Sequence, residues 1–405
     1  MNIPFSPPYI DQSVIDEVVS SLNSGWITTG PKVKSLEEEI ASYTGVKSVL
    51  CVNSWTSGAI MILKWIGVKE GDEVIIPAYT YSATALAVLH CGANPIMVDV
   101  TENFNISIEA IKKAITSKTK AIIPVDIAGW PCDYNSIINL VKMPNILEKF
   151  IPESEIQSKL GRIIVISDSA HSFGATQKGK SAAAISDISI FSLHAVKNLT
   201  TAEGGAICIN LPKSFDNNET YKFLRMMTLN GQTKDAFTKT KIGGWKYDII
   251  MQGLKINLPD VCAAIGLAQI KQYPKLLLER ERVFKRYSDL LSIYNWIQLP
   301  PQDNDLQKSS YHLYALRIKN IDEKQRDLII DEITKVGIAV NVHFIPLPML
   351  SLFKDLGYNI QNFPVAYDNY SREISLPIYP QLTNEQVDFI IAHVVKGYNT
   401  VIKNY

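Results

Sequence analysis

Cysteine is scarce in this 405-residue chain: Cys51, Cys91, Cys132, Cys208 and Cys262 are scattered. They form no CxxC pair or other metal-ligand spacing, so neither a disulfide framework nor a thiolate metal centre is expected. Most lie in or beside apolar runs, as buried free thiols do. Long hydrophobic runs are missing too, which excludes a bilayer-spanning helix. The first residues, Met1-Asn2-Ile3-Pro4-Phe5-Ser6-Pro7-Pro8, lack the basic region and apolar core of a signal peptide. The expectation is a soluble cytoplasmic protein. Net charge is absent as well, because Lys plus Arg and Asp plus Glu both number 40. No overall field therefore draws the chain to nucleic acid or to an anionic membrane, and any phosphate must be met by local groups.

What is present is an alternation of short apolar runs with helical patterns. The runs Ser48 to Val52, Glu73 to Pro77, Ile96 to Val98, Ala121 to Val125, Ile163 to Ile166, Ile188 to Phe191 and Ala206 to Ile209 are mostly apolar throughout. Strands covered on both faces have that composition. Ser57 to Ile66 and Ser82 to His90 have helical length and spacing between them. The order predicts an α/β domain with a mainly parallel sheet and helices on each side. The polar stretch from about residue 135 to 160 reads as an insertion. After Asn257-Leu258-Pro259-Asp260 a long helical pattern runs to Glu279-Arg280-Glu281-Arg282 and connects to a second domain. There a strand is expected over Tyr311 to Ile318, a helix from Glu323 to Val336, a strand over Ala339 to Phe344 and a closing helix from Asn384. The predicted division is an N-terminal arm and large domain over residues 1–270 and a smaller α+β domain over 271–405.

Lys197 lies in Phe191-Ser192-Leu193-His194-Ala195-Val196-Lys197-Asn198, between two of the predicted strands. A lysine in a shielded site can lose its proton and attack a carbonyl, and so anchor pyridoxal phosphate as an imine. That cofactor also needs a carboxylate on its pyridine nitrogen, a flat contact for its ring and donors for its phosphate. Asp168, just past a strand, suits the nitrogen. One more strand between the two residues brings both to the same sheet edge, where ligands of open α/β sheets gather. Thr56 and Ser57, at a helix start, suit the phosphate, and Ser192 adds a hydroxyl. Taken alone, Asn53-Ser54-Trp55-Thr56 reads as a plain helix N-cap, and Asp168 equally as a capping or surface residue.

These residues converge on a family. Ile76-Pro77-Ala78-Tyr79-Thr80-Tyr81-Ser82-Ala83-Thr84, Ser167-Asp168-Ser169-Ala170-His171 and the Lys197 segment resemble the DegT/DnrJ/StrS nucleotide-sugar aminotransferases, fold-type I pyridoxal-phosphate enzymes. Gly25-Trp26-Ile27-Thr28-Thr29-Gly30-Pro31 and Ile374-Ser375-Leu376-Pro377 also match, so the resemblance covers nearly the whole chain. It implies a three-layer α/β/α large domain with a mainly parallel seven-stranded sheet. It implies Lys197 as the covalent anchor, Asp168 on the pyridine nitrogen, Tyr81 stacked on the ring and His171 beside it. Asn257 would reach a phosphate in the other subunit of a homodimer. Thr29, Gly30 and His343 would border the substrate, a nucleotide-linked keto deoxy sugar, with glutamate as amino donor and C4 amination favoured over C3. Two departures stand out: Trp55 occupies a position where the family usually has a small residue, and the 135–160 stretch is longer than usual.

Three other functions compete. Gly174-Ala175-Thr176-Gln177-Lys178-Gly179-Lys180-Ser181 fits the phosphate-loop pattern G-x-x-x-x-G-K-[ST]. Such a loop should leave its strand directly and open a helix, whereas this segment begins well past the Ile163 to Ile166 strand and reads as a turn between short strands. A nucleotide-sugar dehydratase of the same family would carry His in place of Lys197, or an iron-sulfur cluster for which no cysteine cluster exists. A catalytically dead relative is opposed by the intact Lys197 and Asp168.

Overall fold

A computed structural model describes residues 2–234 and 245–403. Its centre is a seven-stranded sheet in the order β1-β9-β8-β5-β4-β2-β3. The strands are β1 (Ser48–Val52), β2 (Glu73–Pro77), β3 (Asn94–Val98), β4 (Thr119–Ile122), β5 (Ile164–Asp168), β8 (Ile188–Ser192) and β9 (Gly205–Ile209). Nearly every residue of these strands is buried, which explains their unbroken apolar composition. Six strands run parallel. β9 alone is reversed, antiparallel to both β1 and β8. Its composition carries no mark of direction, because a strand buried on both faces reads the same either way.

The reversal matters locally, because the first residue of β9 then lies at the edge where β1, β5 and β8 end. Gly205 sits against the turn after β1, and a Cβ there would lie 2.7 Å from the Ser54 carbonyl carbon and 2.9 Å from the Trp55 nitrogen. A side chain of any size would push that turn away.

The stretch over residues 135–160 is helical: Tyr134–Leu140, Pro144–Leu147 and Glu155–Leu160 form three short helices between β4 and β5. Asp133 and Ser154 cap two of them with side-chain oxygens. Ile137, Leu140, Val141 and Ile146 supply their apolar face, which packs with Val165 of β5. The polar residues that suggest an irregular insertion are the outer faces of these helices.

The 32-residue helix Asp260–Leu291 runs from this core into a second one. There Val283, Tyr287, Leu316, Ile374 and Ile390 pack together around a three-stranded sheet of β10 (Ile297–Gln298), β12 (Tyr314–Ile318) and β13 (Glu373–Leu376). Helices Glu323–Thr334 and Asn384–Lys403 cover it. The strand expected over Ala339 to Phe344 does not form. Only isolated bridges occur, Ile338 with Ile3 and Asn341 with Ser375. The reason is local: the His343 N–H donates to the Glu373 carboxylate at 3.0 Å instead of to a neighbouring strand.

The phosphate-loop match forms a hairpin, β6 (Thr176–Gln177) with β7 (Lys180–Ser181), joined through Lys178 and Gly179 at positive φ. β11 (Gln307–Lys308) extends it. No α-helix opens at Lys180, so the geometry of a phosphate loop is missing. Among the described residues no helix is long and apolar enough to cross a membrane.

Gly205→Ala is expected to destabilise the protein by about 1–3 kcal/mol through overpacking against Ser54. Thermal unfolding measures this as a lowered Tm, and an unchanged Tm would show that the turn relaxes freely.

Candidate active site

One cavity of about 420 Å³ opens at the edge where β1, β2, β5 and β8 end, the edge at which ligands bind in open α/β sheets. Its size suits a cofactor or small-molecule ligand. Lys197, Asp168, Thr56, Tyr81, His171, Ser192 and His343 all line it. Residues separated by up to 287 positions are thus brought to one place by three strand ends, one helix start and the segment that carries His343.

The loop carrying Lys197 is tied down on both sides. The Lys197 N–H donates to the His194 carbonyl at 2.9 Å, and Thr201 N–H to the Leu193 carbonyl at 2.9 Å. Gln269 on the long helix accepts from the Thr200 N–H at 2.9 Å. Asn198 donates from its amide nitrogen to the Ser310 carbonyl at 2.7 Å. Its amide oxygen then faces His312 Nδ1 at 2.9 Å, so Nδ1 carries the proton and donates. His312 packs on His171 with ring centroids 4.3 Å apart.

Burial tunes the charges. It lowers the Lys197 pKa to about 8, the Asp168 carboxylate opposing the shift. Burial also raises Asp168 to about 7, against hydrogen bonds from Thr84 and the Ala170 N–H and the field of Lys197. Thr84 Oγ1 donates to Asp168 Oδ2 at 2.9 Å, and Ala170 N–H to Oδ1 at 3.2 Å. Both donors are neutral, which leaves a desolvated carboxylate in want of a cation. His171 and His312 are pushed well below the usual histidine range by burial, with Lys197 adding to it, so both rings are neutral.

Pyridoxal phosphate fits what these residues lack. A protonated pyridine nitrogen is the cationic donor that Asp168 is missing. His171 Nδ1 is buried without a hydrogen-bond partner, and a ring oxygen beside it would supply one. The helix Trp55–Trp65 starts at the cavity, and a helix N-terminus favours a phosphate.

Four sequence candidates stand elsewhere. Ser57 does not line the cavity: its N–H and hydroxyl are both bonded to Ser54 Oγ, at 3.1 and 2.9 Å. Thr29, Gly30 and Asn257 form a cluster of their own. Asn257 Nδ2 donates to Thr29 Oγ1, Thr29 Oγ1 to the Leu258 carbonyl, and Gly30 N–H to Asp260 Oδ1 at 2.8 Å. Their polar groups are taken up in holding the Gly30 turn to the start of the long helix, outside this chain's own cavity.

The sequence reading missed Thr84 and His312. Thr84 lies one helical turn after Thr80, its hydroxyl 3.0 Å from the Thr80 hydroxyl, a spacing that could have placed both on the cavity side. His312 reaches Asn198 across 114 residues, and no local pattern foretells that. Trp55 fills one wall with its indole nitrogen buried and unpartnered, which is how the site accommodates a bulky residue beside the helix start.

A doubly covered sheet with one reversed strand, a desolvated lysine and a buried carboxylate at its carboxyl edge together define a fold-type I pyridoxal-phosphate enzyme. Comparison with known proteins narrows the class. The chain belongs to the DegT/DnrJ/EryC1/StrS aminotransferase family, whose model matches residues 8–147 and 153–395. It is 41% identical to Spr1654 of Streptococcus pneumoniae, described as a sugar aminotransferase and solved with pyridoxal phosphate, over 99% of this chain and 100% of that one, TM-score 0.94. PseC of Helicobacter pylori, an aminotransferase involved in pseudoaminic acid biosynthesis, is 28% identical over 99% of this chain and 100% of that one, TM-score 0.86. The spore coat polysaccharide biosynthesis protein SpsC of Bacillus subtilis is 33% identical over 98% of this chain and 97% of its own length. The protein is a pyridoxal-phosphate-dependent sugar aminotransferase that takes a sugar substrate and an amino donor.

In the cofactor-free protein, Lys197 is expected to react with a carbonyl or acylating reagent at a rate that rises with pH and levels off above about 8, as its ammonium deprotonates. Asp168→Ala removes the charge that favours the ammonium and should move this inflection to lower pH. Competitive labelling with mass-spectrometric readout measures both; an inflection near the ordinary lysine value, about 10.4, would contradict the burial argument.

Proposed function

We propose that this enzyme moves the amino group of glutamate to a keto group of a nucleotide-linked deoxy sugar, at C4 in preference to C3, for polysaccharide or glycan biosynthesis. The observation that carries the reading is the sharing of one desolvated cavity by Lys197 and Asp168. The likeness to PseC and SpsC supports the sugar and the biosynthetic setting. The segment Phe191 to Gly205, which resembles the C4 aminotransferases, supports the position.

Bound pyridoxal phosphate supplies an aldehyde to carry the amino group and a ring to spread the electrons of a carbanion. The chain's residues do the rest. Lys197 would hold the aldehyde, and its amine, when neutral and free, would move a proton between the donor α-carbon and C4′. A pKa of about 8 suits this exchange near neutral pH. Asp168 holds the pyridine nitrogen protonated. Tyr81 would cover the ring face and His171 would flank the ring, while Thr56 and Ser192 would hold the phosphate with the helix start. His343 contacts the sugar. The second half of the reaction reverses these moves on the keto sugar, giving ping-pong kinetics.

The enzyme works as a homodimer in the cytoplasm, with a large domain over residues 1–270 and a small one over 271–405. Asn257 of each copy contacts the phosphate in the other's cavity, with Thr29 and Gly30 bordering the sugar there. The support is that these three residues lie together outside their own chain's cavity.

Lys197→Ala is expected to abolish turnover while the dimer still holds the cofactor noncovalently, and a near-normal rate would remove Lys197 from its role. Asp168→Ala should weaken cofactor binding and slow turnover by roughly 100-fold or more; normal activity would mean that another carboxylate holds the ring nitrogen. A panel of 3-keto and 4-keto nucleotide sugars assayed with glutamate tests the substrate. Turnover confined to 3-keto sugars, or to sugars without a nucleotide, would refute this substrate assignment.

A further inference from the structure

Behind the cavity wall lies a chain of polar groups that the reaction as described does not use. Glu373 is fully buried on β13. One carboxylate oxygen accepts the Ser375 hydroxyl, and the other accepts the His343 N–H at 3.0 Å. Ser375 Oγ lies 2.9 Å from His343 Nδ1. His343 lines the cavity, stacked on Phe5 with ring centroids 5.3 Å apart, and Tyr79 donates its hydroxyl to the His343 carbonyl. With Nδ1 turned to Ser375, the other edge of the ring, carrying Nε2, is the one left for a ligand. From this geometry we infer that Glu373 and Ser375 are positioning residues that set whether His343 Nε2 offers the sugar substrate a hydrogen-bond donor or an acceptor.

The hydrogen bonds allow two states. With Glu373 ionised, the Ser375 hydroxyl donates to it, Nδ1–H donates to Ser375, and Nε2 presents a lone pair. With Glu373 protonated on the oxygen facing Ser375, both bonds reverse: the carboxyl donates to Ser375, Ser375 donates to Nδ1, and Nε2 carries a proton. The passage between them balances. One proton taken up at Nε2 from the cavity displaces one from Nδ1 to Ser375 and one from Ser375 to Glu373, so a single proton is gained overall. His343 stays neutral in both states, because burial and the nearby Lys197 lower its pKa to about 4.

The surroundings place this change near neutral pH. Burial raises the Glu373 pKa to about 8, opposed by the Ser375 and His343 hydrogen bonds and by Arg326 and Arg317. Arg317 stands opposite Glu373 in the β12–β13 register. Arg326, on the covering helix, donates to the Glu373 carbonyl at 3.3 Å. Tyr79, from the loop after β2, is held neutral by burial and by Glu373 itself. On the cavity side His343 faces Lys197 and the neutral rings of His171 and His312.

The contact of His343 with sugar rests on the proposed function, whereas the state of its ring does not. The test is therefore the nitrogen NMR shifts of His343 in the cofactor-loaded protein, labelled with 15N-histidine and assigned by the signal missing in His343→Gln. Between pH 6 and 9.5 the wild type should pass from the Nε2–H to the Nδ1–H form. In Glu373→Gln the His343 N–H keeps the amide oxygen as its acceptor, which turns the amide NH2 toward Ser375 as a donor, so this variant should hold Nε2–H throughout. A single tautomer across the range in the wild type, or a wild-type titration in Glu373→Gln, would overturn the inference. With a UDP-linked 4-keto-6-deoxyhexose, KM should vary about fivefold across the same range in wild type and stay flat in Glu373→Gln, the scale of one hydrogen bond. Failure of that sugar to react counts against the proposed substrate, while the shifts still decide the relay.

Discussion

The desolvation of Lys197 and Asp168 within one cavity is the constraint on which the site depends. Each group would be fully charged in water, and burial weakens each charge. A lysine near its neutral form is a nucleophile and a base, and a carboxylate short of a cation is a socket for a protonated ring nitrogen. The chemistry thus begins with the cost of keeping these groups out of water, which the cofactor relieves on binding.

The fold bears that cost through rigid placement. Asp168 ends a buried strand and is met by Thr84 from the neighbouring helix. The Lys197 loop is pinned by Gln269 and through Asn198. The reversed strand β9 brings Gly205 against the turn after β1, and only a residue without a side chain lets the helix start come so close. The segments just before β12 and before β13 close the other side with His312 and His343, each fixed by a polar partner on its Nδ1 edge. The cavity is therefore an assembly of strand ends, one helix start and the segments that carry His312 and His343.

Much of this was legible in the sequence because burial on both faces leaves a plain mark. The runs Ser48 to Val52 and Glu73 to Pro77 became strands with those bounds, and Lys197, Asp168, Tyr81, His171 and Ser192 met in one cavity. The direction of β9 was not legible, since pairing partners leave no trace in a buried strand. The strand expected over Ala339 to Phe344 does not form, because the His343 N–H is bonded to a side chain. Ser57, Thr29 and Gly30 lie apart from the cavity because their polar groups are spent on local bonds to Ser54, Leu258 and Asp260. Contacts such as His312 with Asn198 and Ser375 with His343 join distant segments, and one sequence holds no signal for them.

Whether Lys197 is the residue that burial has prepared to bind the cofactor can be read from a single experiment. The cofactor-loaded protein is reduced with borohydride, digested and mapped by mass spectrometry. The phosphopyridoxyl mass is expected on the peptide containing Lys197 and on no other lysine. Its appearance on Lys178, Lys180 or any other lysine, or its absence from the digest, would contradict that role for Lys197.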